Sequence, residues 1–398
     1  MERDLTVRGF RFAAVKAGFR GKDRLDLGLI VADEPAMAAA VFTRNAVKAA
    51  PVLLGQKRLS SGRIQAVLVN SGIANACTGE QGMANAEAAA RLAAMALGID
   101  EALVVVSSTG VIGEQFDMSC FERAVGPLAS ALSPGQLADV TRAIMTTDTV
   151  PKTAERTITL SGQPVRLVGI AKGAGMIMPR MATMLAYVMT DAAIGHSALQ
   201  AMLSAAAAQS FNRISVDGDM STNDTLLVLA SGKAGNVPIT EADCPDGQAF
   251  RQALDDLTRD LAIQIVRDGE GASKFVTIAV RGGRSEAEAE QVARAVANSP
   301  LVKTAFFGQD ANWGRIIAAV GASGVAVDPM AIDIAFDGIP MVRRGIGLGR
   351  EAEAKTTEVL KQDAFTIGID LHQGEATVEF YTCDFSIDYV KINADYRS

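Results

Sequence analysis

Residues 172–191, KGAGMIMPRMATMLAYVMTD, constrain the fold more than any other part of the chain. Their first half places Gly173, Gly175 and Pro179 close together, which lets the backbone turn tightly or approach another group closely. Their second half, residues 184–189, is continuously apolar and contains a tyrosine and a valine. That composition predicts a buried strand. The chain therefore passes here from a constrained loop directly into the interior of a sheet.

Thr183 stands where this loop meets the strand. A hydroxyl held at the start of a buried strand is well placed to act as a fixed nucleophile. The same position also suits an ordinary threonine at a strand edge, and the local sequence alone favours that structural interpretation.

The composition is that of a globular enzyme with an aliphatic core. The chain has 398 residues, of which 49% are hydrophobic, 21% charged and 5% aromatic. Its net charge of −7 and the lack of a basic block argue against a nucleic-acid partner. No apolar run has the length of a transmembrane helix, and MERDLTVRGF lacks the apolar centre of a secretory signal. We therefore expect a cytoplasmic protein without a membrane partner, whose four widely spaced cysteines are free thiols.

Histidine is scarce, which limits the mechanisms that are available. The two histidines, His196 and His372, lie in polar, turn-like segments and are interpreted as surface residues. A Ser-His-Asp device needs a histidine base, and a zinc site of His and Cys ligands is poorly supplied. We expect that any catalytic base is a group other than histidine and that the protein has no metal site.

The predicted elements alternate irregularly between helix and strand. Apolar pieces before residue 60 predict several short strands separated by turns. Helices are predicted at residues 84–97, 134–145, 197–210, 249–265 and 286–297, and strands at 65–69, 103–106, 166–171, 184–189, 226–230, 366–371 and 377–382, the last two as a pair. This pattern predicts an α+β (mixed α/β) fold with sheets sandwiched by helices.

Three polar stretches are candidates for function, and each also has a structural interpretation. Thr109 and Gly110 follow a strand at a predicted turn, where backbone N–H groups can stabilise an oxyanion, although most such glycines only shape the turn. Glu270 lies between two glycines and is either presented to a pocket or solvated. Residues 211–225 are rich in Asp and Asn but lack the EF-hand spacing, so we interpret them as a turn-rich structural loop. Residues 70–82 are also predicted to be a loop.

Residues 172–185 resemble the cleavage and nucleophile segment of the ornithine acetyltransferase family, also called the bifunctional glutamate N-acetyltransferase family, whose pattern is roughly KGxGMIxPxMATML. The resemblance covers essentially the whole chain. Ile73 and Ser398 stand where the family pattern has asparagine and threonine. Further segments similar to the family follow in the same order: NSGIANACTGEQG, SSTGVIG, MTTDT, SFNRISVDGDMSTNDT, VRDGEGASK, FFGQDANWGRI and CDFSIDYVKINADYRS.

The resemblance implies a self-cleaving enzyme that acts like the N-terminal-nucleophile enzymes but has its own connectivity. Cleavage between Ala182 and Thr183 would give an α chain, 1–182, and a β chain, 183–398, which stay together in an α₂β₂ assembly. Cleavage gives Thr183 a free α-amine, and its ordinary pKa of about 7.7–8.0 suits a general base near neutral pH. The nucleophile then supplies its own base, as in other threonine/N-terminal-amine pairs.

The resemblance also implies the reaction and its residues. Thr183 takes the acetyl group from N-acetylornithine, releases ornithine and passes the group to glutamate, while Thr109 and Gly110 stabilise the oxyanion. Lys172 suits a substrate carboxylate and Glu270 a substrate ammonium group. No cofactor is implied, and the sequence leaves open whether acetyl-CoA is a second acetyl donor. The substrate-binding residues carried over from the family are Thr147, Lys172, Thr183, Glu270, Asn393 and Ser398.

Two other functions compete with this interpretation. An N-terminal-nucleophile amidase or aminopeptidase would release acyl groups to water, so glutamate would not accelerate its turnover of N-acetylornithine. An uncleaved binding protein would keep the pocket but form no acyl-enzyme. The Ala182–Thr183 pair, Glu270 and Asn393 argue against the binding protein.

Overall fold

The computed structural model describes residues 4–21, 23–178 and 184–395. Within these ranges the chain forms strands and helices that alternate irregularly. The strands are β1 (Phe10–Val15), β2 (Leu27–Phe42), β3 (Arg63–Ile73), β4 (Val104–Val111), β5 (Lys152–Leu160), β6 (Gln163–Lys172), β7 (Leu185–Thr190), β8 (Ile214–Ser215), β9 (Thr225–Ala230), β10 (Phe275–Gly283), β11 (Asp333–Phe336), β12 (Ile339–Arg343), β13 (Ile346–Gly347), β14 (Ala364–Asp370) and β15 (Ala376–Cys383). The helices are α1 (Ala50–Leu59), α2 (Gly79–Leu97), α3 (Met118–Ser130), α4 (Leu137–Ile144), α5 (His196–Gln209), α6 (Pro245–Arg267), α7 (Glu286–Ala297), α8 (Pro300–Phe307), α9 (Trp313–Gly321), α10 (Arg350–Leu360) and α11 (Ile387–Asp395).

The first sheet has β7 near its centre. Its strand order is β4-β3-β2-β9-β7-β6-β5, with β1 paired to β2. All six residues of β7, LAYVMT, are buried, as expected for a strand that is covered on both faces. The prediction of a buried strand after the loop that contains Gly173 and Gly175, called the glycine loop below, is therefore confirmed.

The two segments on either side of the predicted cleavage site share this sheet. Strands β7 and β9 follow residue 183, yet they lie between β2 and β6, which precede it. Antiparallel ladders join β7 to β6 and β9 to β2. Because these ladders are backbone hydrogen bonds between the segments, a cut at Ala182–Thr183 would leave them in place.

The second sheet is built from residues 214–383 and has the order β13-β12-β11-β14-β10-β15-β8. Helix α7 packs on β10 and β15, and α10 packs on β12. On the first sheet, α6 packs against β5 and β6, α4 against β1 and β2, and α1 and α2 against β4. The helices thus cover the sheets, which confirms the predicted mixed fold with sheets sandwiched by helices. In the described ranges, no helix combines the length and the apolar character needed to cross a membrane.

Several local predictions were wrong. Before residue 60 we predicted separate short strands, but residues 27–42 form the single strand β2, whose pairing with β3 is irregular between Val31 and Ala36. Such an irregularity accommodates the exposed DEP sequence without ending the strand. The predicted loop 70–82 is shorter, because β3 continues to Ile73 and α2 begins at Gly79. The buried Ser71 tolerates a strand position because its hydroxyl donates to Ala143 O at 2.7 Å.

Two predictions about strand ends and pairs also need correction. Thr109 and Gly110 do not form a turn, because β4 continues to Val111 in parallel with β3. Strands β14 and β15 exist as predicted but do not pair with each other. Strand β10 lies between them, parallel to β14 and antiparallel to β15.

Candidate functional site

A cavity of ≈ 200 Å³ lies where β4 and β6 end and β7 begins. Met176 and Met184, which precede and follow the predicted cleavage site, both line it. Ala182, Thr183 and Ser398, which the sequence also predicts to be site residues, lie outside the described residues. The cavity brings together six predicted site residues from distant parts of the chain: Thr109, Gly110, Thr147, Lys172, Glu270 and Asn393.

Lys172 places a buried ammonium group beside the start of β7. It is the last residue of β6, pairs in register with Leu185 and is 7% exposed. Its Nζ donates to Thr109 Oγ1 at 3.3 Å. Burial lowers the pKa of Lys172, although the nearby Asp148 carboxylate opposes that shift. Lys172 and Thr109 therefore form one contact at the cavity wall.

Gly110 allows two strands to approach each other closely at this wall. Its φ is +131°, and a Cβ at this position would lie 2.2 Å from the Gly72 carbonyl carbon. Any side chain would therefore force β4 away from β3. The role of Thr109 and Gly110 in oxyanion stabilisation stays a prediction, now for residues at the end of a strand rather than in a turn.

Glu270 and Asn393 face the cavity together. The Glu270 N–H donates to Ala174 O at 2.9 Å, and Asn393 Nδ2 donates to Glu270 Oε2 at 2.8 Å. Gly175 packs directly against this carboxylate, because a Cβ there would lie 2.3 Å from the Glu270 carboxyl carbon. The structure thus places Glu270 at a pocket rather than in solvent, and α11 supplies its partner.

A buried ionic network lies behind Lys172. The Lys152 side chain is fully buried, and its Nζ contacts Asp148 Oδ1 at 2.7 Å and Asp268 Oδ2 at 2.5 Å. Asp148 Oδ1 also accepts the Gly173 N–H at 2.6 Å. Burial alone would raise the pKa of Asp148, but the charges of Lys172 and Lys152 hold it well below its usual range. The network fixes the start of the glycine loop and joins the segments before and after the predicted cleavage site.

Part of the acidic stretch 211–225, which we interpreted as a structural loop, lies at the same cavity. Asp217 lines the cavity, and its carboxylate accepts the N–H groups of Met176 and Ile177. Asp224 is 3% exposed, and its Oδ2 has no hydrogen-bond partner among the described residues. Burial raises the pKa of both carboxyl groups. The concentration of Asp and Asn immediately before a buried strand is the sequence feature that marks this part of the cavity wall.

The two histidines take no part in this site. His196 Nδ1 lies 2.9 Å from Ala38 O, and His372 Nε2 lies 3.2 Å from Asp333 Oδ2. Neither side chain lines the cavity. Among the residues with described positions, no three His, Cys, Asp or Glu side chains are grouped so that they could hold a metal ion.

A family model named ArgJ family matches residues 11–398. This chain belongs to the ArgJ family. The match agrees with the resemblance to the ornithine acetyltransferase family inferred from residues 172–185.

ArgJ relatives match almost the full chain. The arginine biosynthesis bifunctional protein ArgJ of Desulfotalea psychrophila is 54% identical over 394 residues, which cover 99% of this chain and 100% of that protein. The protein of the same name from Geobacter sulfurreducens is 52% identical over 395 residues, with the same coverage of both chains. A crystal structure of ArgJ from Bacillus halodurans has a TM-score of 0.51 and 46% identity, and it covers 53% of this chain and 98% of that one.

Proposed function

We propose that this ArgJ-family chain is an enzyme of arginine biosynthesis that transfers an acetyl group from N-acetylornithine to glutamate. The products are ornithine and N-acetylglutamate. The observation that carries the proposal is that six predicted site residues line one cavity, which Met176 and Met184 also line. The name shared by the relatives, arginine biosynthesis bifunctional protein ArgJ, supports the same assignment.

The first event in the proposal is self-cleavage. The Thr183 Oγ attacks the Ala182 carbonyl carbon, and the bond from that carbon to the Thr183 nitrogen breaks. The nitrogen gains a proton and becomes an α-amine, leaving Ala182 esterified to the threonine hydroxyl. Water then hydrolyses this ester, giving an Ala182 carboxylate and a free hydroxyl. The shared first sheet supports a cleaved protein whose α and β chains stay associated.

The acetyl transfer then uses the new N-terminal threonine. Its amine takes the hydroxyl proton as Oγ attacks the acetyl carbonyl of N-acetylornithine, and the leaving ornithine amine receives a proton. Glutamate attacks the resulting acetyl ester through its amine and regenerates the hydroxyl. An oxyanion forms in each half-reaction, and Thr109 and Gly110 at the cavity wall are the proposed stabilising residues.

The charges at the cavity suit amino-acid substrates. Lys172 supplies the basic side chain among its described lining residues, and Asp217, Asp219, Asp224 and Glu270 supply acidic ones. An acidic surround with one buried ammonium group favours a ligand that carries both an amine and a carboxylate. We propose that Lys172 meets the α-carboxylate and Glu270 an ammonium group. Thr147, Asn393 and Ser398 complete the predicted binding residues.

The proposed reaction needs no cofactor, because the acetyl group moves only between amines and a hydroxyl. An α₂β₂ assembly remains an expectation of the family resemblance, and the use of acetyl-CoA as a second donor stays open. Replacing N-acetylornithine with acetyl-CoA in the assay below would test the second donor directly.

The test of this function is the dependence of ornithine release on glutamate. We expect initial rates at several fixed glutamate concentrations to give the parallel double-reciprocal lines of a ping-pong reaction, with N-acetylglutamate formed in equal amount to ornithine. Ornithine released at the same rate without glutamate, together with free acetate, would instead establish the amidase alternative.

We expect Gly175→Ala to weaken substrate binding while leaving the fold intact. The added methyl group would displace the Glu270 carboxylate from its contact with Asn393. The displaced carboxylate would then lose its proposed hydrogen bond to the substrate ammonium group. Losing one hydrogen bond to a charged group should raise KM for N-acetylornithine by roughly 10- to 100-fold. Gly126→Ala is the matched control, because a Cβ there meets nothing within 4 Å. An unchanged KM in Gly175→Ala would remove Glu270 from substrate recognition.

A further inference from the structure

The backbone just before the predicted cleavage site has an unusual conformation. Met176 has φ +55°, in the left-handed region that non-glycine residues seldom occupy. Such a conformation costs energy for a non-glycine residue and persists only when the surrounding structure holds it. Met176 also lines the cavity.

Asp217 supplies the contact that holds this loop. Its Oδ2 accepts the Met176 N–H at 2.6 Å, and its Oδ1 accepts the Ile177 N–H at 2.8 Å. The neighbouring Val216 N–H donates to Ile177 O at 2.7 Å. Both carboxylate oxygens are therefore occupied by consecutive amides of the loop, and the Asp219 N–H fixes Oδ1 from the other side at 3.1 Å.

The chain on the other side of the predicted cleavage site is fixed as well. Met184 O accepts the Thr225 N–H at 3.0 Å, immediately before the parallel pairing of β7 with β9. The predicted scissile bond thus belongs to a short stretch whose two flanks, Ile177 and Met184, are anchored to residues 216–225. The geometry of attack by a neighbouring hydroxyl depends on such anchoring, because small displacements of reacting groups slow a reaction strongly.

We propose that Asp217 is a positioning residue for self-cleavage, because its carboxylate fixes the backbone of Met176 and Ile177 shortly before the predicted scissile bond. This inference rests on the proposed function. In this role Asp217 acts through the loop and not on the reacting atoms themselves. A carboxylate located after the cleavage site in sequence thereby fixes the backbone of the segment that precedes the site.

The experiment follows cleavage of Asp217→Asn in the full chain. Proteins made by cell-free translation are sampled at fixed times under denaturing conditions, and the uncleaved fraction is measured by mass spectrometry. The asparagine amide can accept one loop N–H but presents its NH₂ group to the other. We expect cleavage to be slower by about tenfold or more, with the melting temperature close to that of the wild type.

The matched control is Asp26→Asn. Asp26 holds a different loop in the same way, accepting the N–H groups of Ala17, Gly18 and Arg20 at 2.6, 3.1 and 3.0 Å. We expect this variant to be cleaved at the wild-type rate. Adding Met176→Gly to Asp217→Asn should restore part of the rate, because glycine adopts positive φ without steric cost.

Different outcomes overturn different claims. Cleavage of Asp217→Asn at the wild-type rate, or an equal delay in Asp26→Asn, would overturn the positioning role. A wild-type chain that stays uncleaved would overturn the proposed function itself. If Asp217→Asn does not fold, Met176→Val replaces it, since a β-branched side chain strongly disfavours positive φ. Cleavage of that variant at the wild-type rate would also overturn the inference.

Discussion

Thr183→Ala is expected to remain a single chain of 41.6 kDa, whereas the wild type separates into fragments 1–182 and 183–398 under denaturing conditions. The variant lacks the hydroxyl that attacks the Ala182 carbonyl, and without cleavage it has no free α-amine to act as base. We therefore expect complete loss of both cleavage and acetyl transfer. Mass spectrometry of the denatured proteins measures the first loss, and ornithine release measures the second.

Thr183→Ser is the control for this prediction. Serine keeps a hydroxyl at the same position, so we expect this variant to be cleaved and to retain some transfer activity. A Thr183→Ala chain that is cleaved at the same bond would show that another group carries out the attack. A wild-type chain that stays uncleaved would favour the alternative of a binding protein that forms no acyl-enzyme.

Lys152→Met is expected to cause the largest loss of stability among the substitutions considered. The lysine ammonium group lies between Asp148 and Asp268, and all three side chains are buried. Removing it takes away the ammonium group that these two buried carboxylates share. Breaking a buried ion pair in this way costs about 3–5 kcal/mol of unfolding free energy.

The stability measurement is urea unfolding in the Thr183→Ala background. This background keeps the chain in one piece, so unfolding does not depend on reassociation of two fragments. Lys233→Met is the matched control, since it removes a lysine from the exposed pair with Glu34 and should change the unfolding free energy by no more than about 1 kcal/mol. Equal effects of the two substitutions would contradict the role we give the buried network.

Local patterns in the sequence predicted several elements well. Helix α7 has the predicted bounds, because its apolar spacing is regular and the Ser285 side chain caps the Glu288 N–H. Strand β7 was visible as an apolar run after a constrained loop. Both signals are contained within short stretches of chain, where spacing and capping determine the structure.

The arrangement of strands could not be predicted in the same way. Strand β10 separates β14 from β15, and β7 and β9 lie between strands from the first part of the chain. Such pairings join residues far apart in sequence, and no local pattern specifies them. Thr109 and Gly110 were assigned to a turn for the same reason, since the parallel partner that extends β4 is the distant β3.

The candidate site was predicted in its main residues but not in its supporting ones. Family resemblance identified Lys172, Glu270 and Asn393, which the structure brings to one cavity. It gave no role to Asp217 or Lys152, whose contacts with the glycine loop and the buried carboxylates appear only in three dimensions. The partners of a polar side chain depend on the fold. Sequence composition and spacing alone therefore could not tell which polar residues support the site and which are exposed to solvent.

The measurement that tests the central claim most directly is the mass of the 183–398 fragment after incubation with N-acetylornithine alone. We expect it to gain the mass of one acetyl group, located on the peptide that begins with Thr183, as ornithine is released in equal amount. Adding glutamate should restore the original mass and produce N-acetylglutamate. A fragment that stays unmodified while N-acetylornithine is turned over, or an acetyl group lost to water at the same rate with and without glutamate, would contradict transfer through an acetyl-threonine.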